Sequence, residues 1–165
     1  MKRIVMIGLA AALVSTAIGG CPSPQQPDPQ PGVISVLVAG SYTGSVVCVL
    51  DDQTQGRDST YDLLVTDEGG LRINGDNIAT GVTLSLTQFG ITVAETIDQI
   101  TETADTVTMK TTGSISSDQE RLDTSRTATF RQVDPQTIEL TDQTLFEDSA
   151  GGKSFTSTCT GTVTR

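Results

Sequence analysis

The sequence predicts an all-β domain built as a single antiparallel meander of about eight or nine short strands. Three observations carry that expectation. Threonine makes up about one residue in six and valine is frequent, while long runs of Leu, Ala, Glu and Lys are missing; such a composition suits half-buried strands better than helices. Apolar and polar side chains alternate almost throughout the chain from residue 42 onward, the two-residue period of a sheet with one buried face. Cys48 lies in the first alternating segment and Cys159 in the last. A bridge between them would join the two ends of the meander, so a closed barrel is preferred to a sandwich.

Taken in order, Tyr42, Gly44, Val46, Cys48 and Leu50 share one face of the first strand, and Val47 and Val49 make its other face partly apolar. Tyr61, Leu63 and Val65 alternate in the second. Asp67-Glu68-Gly69-Gly70 reads as a turn before a short strand holding Leu71 and Ile73. Asn74-Gly75-Asp76-Asn77 is a second turn, with Asn and Gly supplying positive φ. Val82, Leu84 and Leu86 then oppose Thr83, Ser85 and Thr87, and Gln88-Phe89-Gly90 turns the chain into Ile91, Val93 and Ile97. Glu95 falls on the same face as those three residues. A break in the strand there is the favoured explanation, a cavity-lining carboxylate the other. Residues 93–103 are the one helix candidate, and their Thr and Ile content argues for strand or loop instead.

The second half repeats the pattern. Val107, Met109, Thr111, Gly113 and Ile115 face one way and Thr106, Thr108, Lys110 and Thr112 the other. Ala128 and Phe130 alternate before Asp134-Pro135 stops the strand, and Ile138 and Leu140 follow. After a loop at 148–152, Phe155, Ser157, Cys159, Gly161 and Val163 share a face, with a row of threonines from Thr156 to Thr164 opposite. If the first and last strands pair with the cysteines opposite, Val46 meets Gly161, Gly44 meets Val163 and Leu50 meets Ser157. Each pairing sets a large side chain against a small one, as a packed interior needs.

Known chemistry finds little purchase. The chain has no histidine, which removes Ser-His-Asp and Cys-His catalysis and His-based zinc sites. Gly152-Lys153-Ser154 imitates the end of a P-loop, but Glu147 stands where the leading glycine belongs and a strand follows rather than a helix. Asp51-Asp52, Asp67-Glu68 and Asp76-Asn77 offer oxygen ligands, yet none matches a calcium loop and surface turns favour the same residues. No catalytic residue, metal ligand or cofactor is assigned, and an enzymatic role is not expected.

A meander barrel with apolar-in, polar-out strands resembles lipocalin-like domains in architecture only. The chain has no Trp, so the Gly-x-Trp signature of that family is missing, and fold analogy does not supply function.

The N-terminal residues are more telling. Met1-Lys2-Arg3 is a short cationic start, Ile4 to Ile18 is almost unbroken apolar sequence, and Ile18-Gly19-Gly20 leads into Cys21. The apolar run is too short to cross the roughly 30 Å hydrocarbon core as a helix, and the order of parts is that of an export signal. The segment resembles the lipobox of bacterial lipoproteins. That resemblance implies a diacylglyceryl thioether on Cys21, cleavage before it, and fatty acylation of the new N-terminus, for instance with palmitate. It divides the chain into a signal peptide at 1–20, a tether at 21–32 and a β domain at 33–165. Pro22, where Asp would imply inner-membrane retention, leans toward the outer membrane. Residues 21–32 hold five of the six prolines, so the tether should be extended and reach about 35 Å or less.

Removing residues 1–20 takes away Lys2 and Arg3 and none of the 20 acidic residues, so the net charge falls from −10 to −12. A chain this acidic does not bind nucleic acid or anionic lipid by charge. The expected product is a monomeric, lipid-anchored protein of the bacterial cell envelope with a structural or protein-interaction role. The alternative is a lipocalin-like module for a small apolar ligand. The expected residues are Cys21 for lipidation and a Cys48–Cys159 disulfide, the simplest use of two cysteines in an oxidising compartment.

Overall fold

A computed structural model describes residues 34–51, 57–118, 120–149 and 152–165. Cys21, the signal segment and the Pro-rich tether lie outside the described residues, as does Asp52. Ten strands run in chain order: β1 Gly40–Leu50, β2 Arg57–Val65, β3 Leu71–Ile73, β4 Asp76–Ile78, β5 Thr83–Gln88, β6 Ile91–Thr103, β7 Thr106–Ser116, β8 Arg121–Asp134, β9 Thr137–Asp148 and β10 Ser154–Thr164. All pair antiparallel in one sheet of order β4-β3-β2-β1-β10-β9-β8-β7-β6-β5. The first and last long strands are therefore neighbours, and the sheet is nearly closed into a barrel. Its two free edges, β4 and β5, are consecutive in sequence and carry the seam.

The extra strand relative to the sequence expectation is β4. The turn anticipated at 74–77 is a two-residue type I′ hairpin at Asn74 and Gly75, both with positive φ, and Asp76 and Asn77 already pair with Ile73 and Arg72. Phe89-Gly90 makes the same kind of turn between β5 and β6, with φ of 53° and 76°. Asn-Gly is well suited to that geometry. Phe89 is not, and the residue is 93% exposed.

The β1–β10 pairing has the anticipated register: Cys48 opposite Cys159, Val46 opposite Gly161, Gly44 opposite Val163 and Leu50 opposite Ser157. Cys48 and Cys159 are joined as a disulfide. At Gly44 and Gly161 the two strands pass so closely that an added Cβ would meet backbone oxygen at 2.2 and 2.3 Å. Only glycine permits that approach, which lets strongly coiled strands close a small barrel.

The expected break at Glu95 does not occur. Strand β6 runs unbroken through it, with Leu84 on one side and Gly113 on the other, and the side chain is 6% exposed. The irregularity comes three residues later, as a register shift between Ile97 and Gln99. One extra residue there swings the chain by half a period, so that Ile97 and Ile100 both turn toward the core although they are three apart. A carboxylate on an apolar face looks like a strand end until its partner is found, and that partner is remote in sequence.

Two apolar clusters fill the interior. The larger gathers Tyr42, Leu63, Ile73, Ile97, Met109, Phe130, Leu140 and neighbours from every strand but β5, whose partly buried Leu84 packs against it. The smaller comprises Ile91, Val93, Ile115 and Phe146, with Leu122 and Phe155 against it; the Phe146 and Phe155 rings stack at 4.6 Å.

One end of the barrel is closed by the segment before β1. Ile34 and Leu37 are buried. The Ile34 amide donates to the Gly69 carbonyl, the Ser35 amide and hydroxyl donate to Glu102, and the Val38 amide donates to Gln132. Arg165 donates from its guanidinium to the Ala39 carbonyl, so the C-terminal residue is bound to the same strap.

Candidate functional site

Between the two apolar clusters lies a polar layer: Glu95 on β6, Thr111 on β7, Thr124 and Arg126 on β8, Asp142 and Thr144 on β9, and Ser157 on β10, all buried. Strand alternation puts them there. Arg126 shares the inward face of β8 with Ala128 and Phe130, and Asp142 that of β9 with Ile138 and Leu140.

Arg126 organises the layer. Its Nε lies 2.9 Å from both Asp142 carboxylate oxygens, and its Nη2 lies 2.5 Å from Oδ2. Nη1 donates to Glu95 Oε2 at 3.2 Å. A planar guanidinium can present such a fork to two carboxylates at once, which an ammonium could not. Burial alone would pull Arg126 down, but the charges of Asp142 and then Glu95, with the hydrogen bond to Asp142, carry it well above its ordinary value. The guanidinium is therefore a fixed positive charge between two carboxyl groups.

Tyr61 on β2 reaches the same layer, with its ring 6.3 Å from that of Phe130. Burial pushes its phenol up; Arg126 opposes the shift and Asp142 adds to it. The folded value lies above the unfolded one, so the stabilisation it brings is fully present below pH 10 and is lost as pH rises beyond that. We expect Tyr61→Phe to leave the native 295 nm alkaline titration unchanged and to flatten the fall in stability above that pH. Loss of native titration amplitude in the variant would contradict the burial.

Among the described residues, four buried oxygens at this layer have no hydrogen-bond partner: Tyr61 Oη, Glu95 Oε1, Thr111 Oγ1 and Thr124 Oγ1. Both Asp142 oxygens are occupied by Arg126. Among the described residues, no group of three or more Cys, Asp or Glu side chains converges as metal ligands.

The other residues considered from sequence are dispersed. Asp51, at φ 48°, accepts the Thr156 amide on its side chain and donates its own amide to the Thr156 carbonyl, a structural role at the β1–β10 junction. Asp67 and Glu68 are exposed in the β2–β3 turn. Lys153 precedes β10 in a turn that enters a strand, as the P-loop comparison required for its rejection. A shallow groove of about 410 Å³ on the outer face is lined by Ser41, Thr43, Asp62, Leu64 and Arg72.

Sequence reading had singled out Glu95 but neither Arg126 nor Asp142. The signal existed: carrying the alternation of Ala128–Phe130 back two residues and of Ile138–Leu140 on by two turns both inward. The class that fold and site together define is a small meander barrel with an ionic layer across its interior. Compared with protein-family models, with curated proteins and with solved structures, the chain matches none.

Proposed function

We propose that this chain is a lipid-anchored lipoprotein of the bacterial cell envelope whose β domain has a non-enzymatic, structural or protein-interaction role. The observation that carries the reading is the strap at residues 34–39. It crosses the end of the barrel at which the described residues begin, and it is tied to β6, β8 and Arg165. The opposite end, with the exposed Phe89 at the β5–β6 turn, then faces away from the anchor, where a partner could be met. Large side chains such as Tyr42, Phe130 and Phe146, fully buried in the interior, favour this over carriage of a small apolar ligand.

Cys21→Ala decides the anchoring. The wild-type chain should take up labelled palmitate and partition with membranes, and the variant should lose both. Membrane retention of the variant, or an unlabelled wild type, would overturn the proposal. Native mass spectrometry addresses the carrier alternative: a bound mass released on denaturation would favour it, and the bare chain mass would favour a structural or interaction role.

A further inference from the structure

The two free edges of the sheet are not equally protected. Strand β4 is three residues long and begins with an acid, Asp76, and both features discourage further pairing. Strand β5, Thr83-Leu84-Ser85-Leu86-Thr87-Gln88, has neither charge nor proline, and no charged residue occurs from Asn77 to Ala94. Gln88 and Ile91 close the two-residue turn into β6, so Leu84, Leu86 and Gln88 direct their backbone groups to β6. Thr83, Ser85 and Thr87 direct theirs away from it, along the seam. Leu84 and Leu86 face inward yet are only half-buried, so the seam is open beside this strand.

The side chains of the edge indicate its complement. Residues 83–87 read the same in both directions about Ser85. We propose that this edge pairs with the same edge of a second copy of the chain, antiparallel about a twofold axis at Ser85. In that register Ser85 meets Ser85, Thr83 meets Thr87 and Leu84 meets Leu86 of the second copy. The edge N–H and C=O groups of Thr83, Ser85 and Thr87 are then matched by about six backbone hydrogen bonds. Such a contact closes on itself, because both copies use the same patch. On the outer face Thr83 and Thr87 already bond Thr96 and Thr92 at 2.9 Å. A hydroxyl both donates and accepts, so this threonine ladder continues across the axis. On the inner face the half-buried leucines cover one another. Charge fits a second copy as well. The outward residues next along the sheet, Thr92, Ala94 and Thr96 on β6 with Thr112, Ser114 and Ser116 on β7, are uncharged. Two copies of a chain with net charge −10 therefore meet there without opposed like charges. The same register sets Phe89, 93% exposed, across from Gly81 of the second copy, where an added Cβ meets nothing within 4 Å. Covering an edge glycine with an aromatic ring is a known way to pin register. A foreign strand would find the hydrogen bonds but not these matched side chains. The pairing replaces the monomer expected from sequence with a dimer, and it holds whether or not Cys21 carries lipid.

One strand and one ring bury less than the roughly 1,000 Å² of a stable interface, so the pairing is reversible and a covalent trap is the fitting readout. The full chain carrying Cys21→Ala, with Cys48 and Cys159 joined, has no other cysteine. Ser85→Cys in that chain, treated with diamide, should give a disulfide-linked dimer as the main product, since residues so paired have Cα atoms about 5.5 Å apart. Thr141→Cys, exposed on the central strand β9, should give roughly tenfold less, having no twin within disulfide reach. Adding Thr83→Pro to Ser85→Cys removes an edge N–H that β6 does not use, and should cut the yield to the Thr141→Cys level. If that variant fails to fold, the first comparison decides. Equal yields from Ser85→Cys and Thr141→Cys, or no linked dimer from Ser85→Cys, would overturn the proposal. Linkage of Ser85→Cys to another protein in cells, with none to itself, would assign the edge to a foreign strand and overturn it too.

Discussion

Reduction of the Cys48–Cys159 bridge is expected to lower the unfolding free energy by about 4 kcal/mol. The cysteines are 111 residues apart. In the chain-entropy model a loop of that length restricts the unfolded ensemble by about 5 kcal/mol, and bridges in folded domains typically contribute about 2–4 kcal/mol. For a domain of this size the loss corresponds to a fall in Tm of roughly 15 °C. Thermal melts with and without reductant, beside the Cys48→Ser/Cys159→Ser variant, measure it. Coincident melts would mean that the sheet alone keeps β1 and β10 together.

Replacement of Arg126 by Met should cost about 3–5 kcal/mol, because it leaves two carboxylates buried without a counter-charge. The mechanism has a second signature. Replacing all three charges together, as Glu95→Leu/Arg126→Met/Asp142→Leu, should recover most of that loss, since a buried ionic group set against well-packed apolar residues is close to neutral. Denaturant unfolding of the single and triple variants separates the outcomes. If the triple variant is as unstable as Arg126→Met, the layer's contribution lies in shape rather than charge.

The strands of this barrel were legible where the alternation was strict and the turns were marked. The β1 and β10 register followed from two cysteines and the pairing of large with small residues, and the inward face of β7 was read residue by residue. Strand β4 was hidden because three residues after an Asn-Gly pair carry too little pattern to distinguish strand from turn. The ionic layer was hidden for a different reason. Glu95, Arg126 and Asp142 each violate the apolar face of their own strand, and each looks like an interruption when read alone. Only the nearly closed sheet brings β6, β8 and β9 inward onto one level, where three violations become one ion-paired group. The bulge between Ile97 and Gln99 reinforced the impression of a break by shifting the period just beyond Glu95.

The strand order also dictates when the molecule can become whole. From β5 to β10 every neighbour in the sheet is the next strand along the chain, so six strands can zip as successive local hairpins. The same holds within β1 to β4. The two halves have no sequential neighbour in common, because β4 and β5 do not pair; they unite only where β1 receives β10. That contact, of the longest sequence separation in the sheet, forms when residues 154–164 have been delivered, and long-range pairing is the slow kind. Until then the growing chain holds β1 with an unclaimed edge, a state open to a passing strand. Arrival of the last strand ends that exposure.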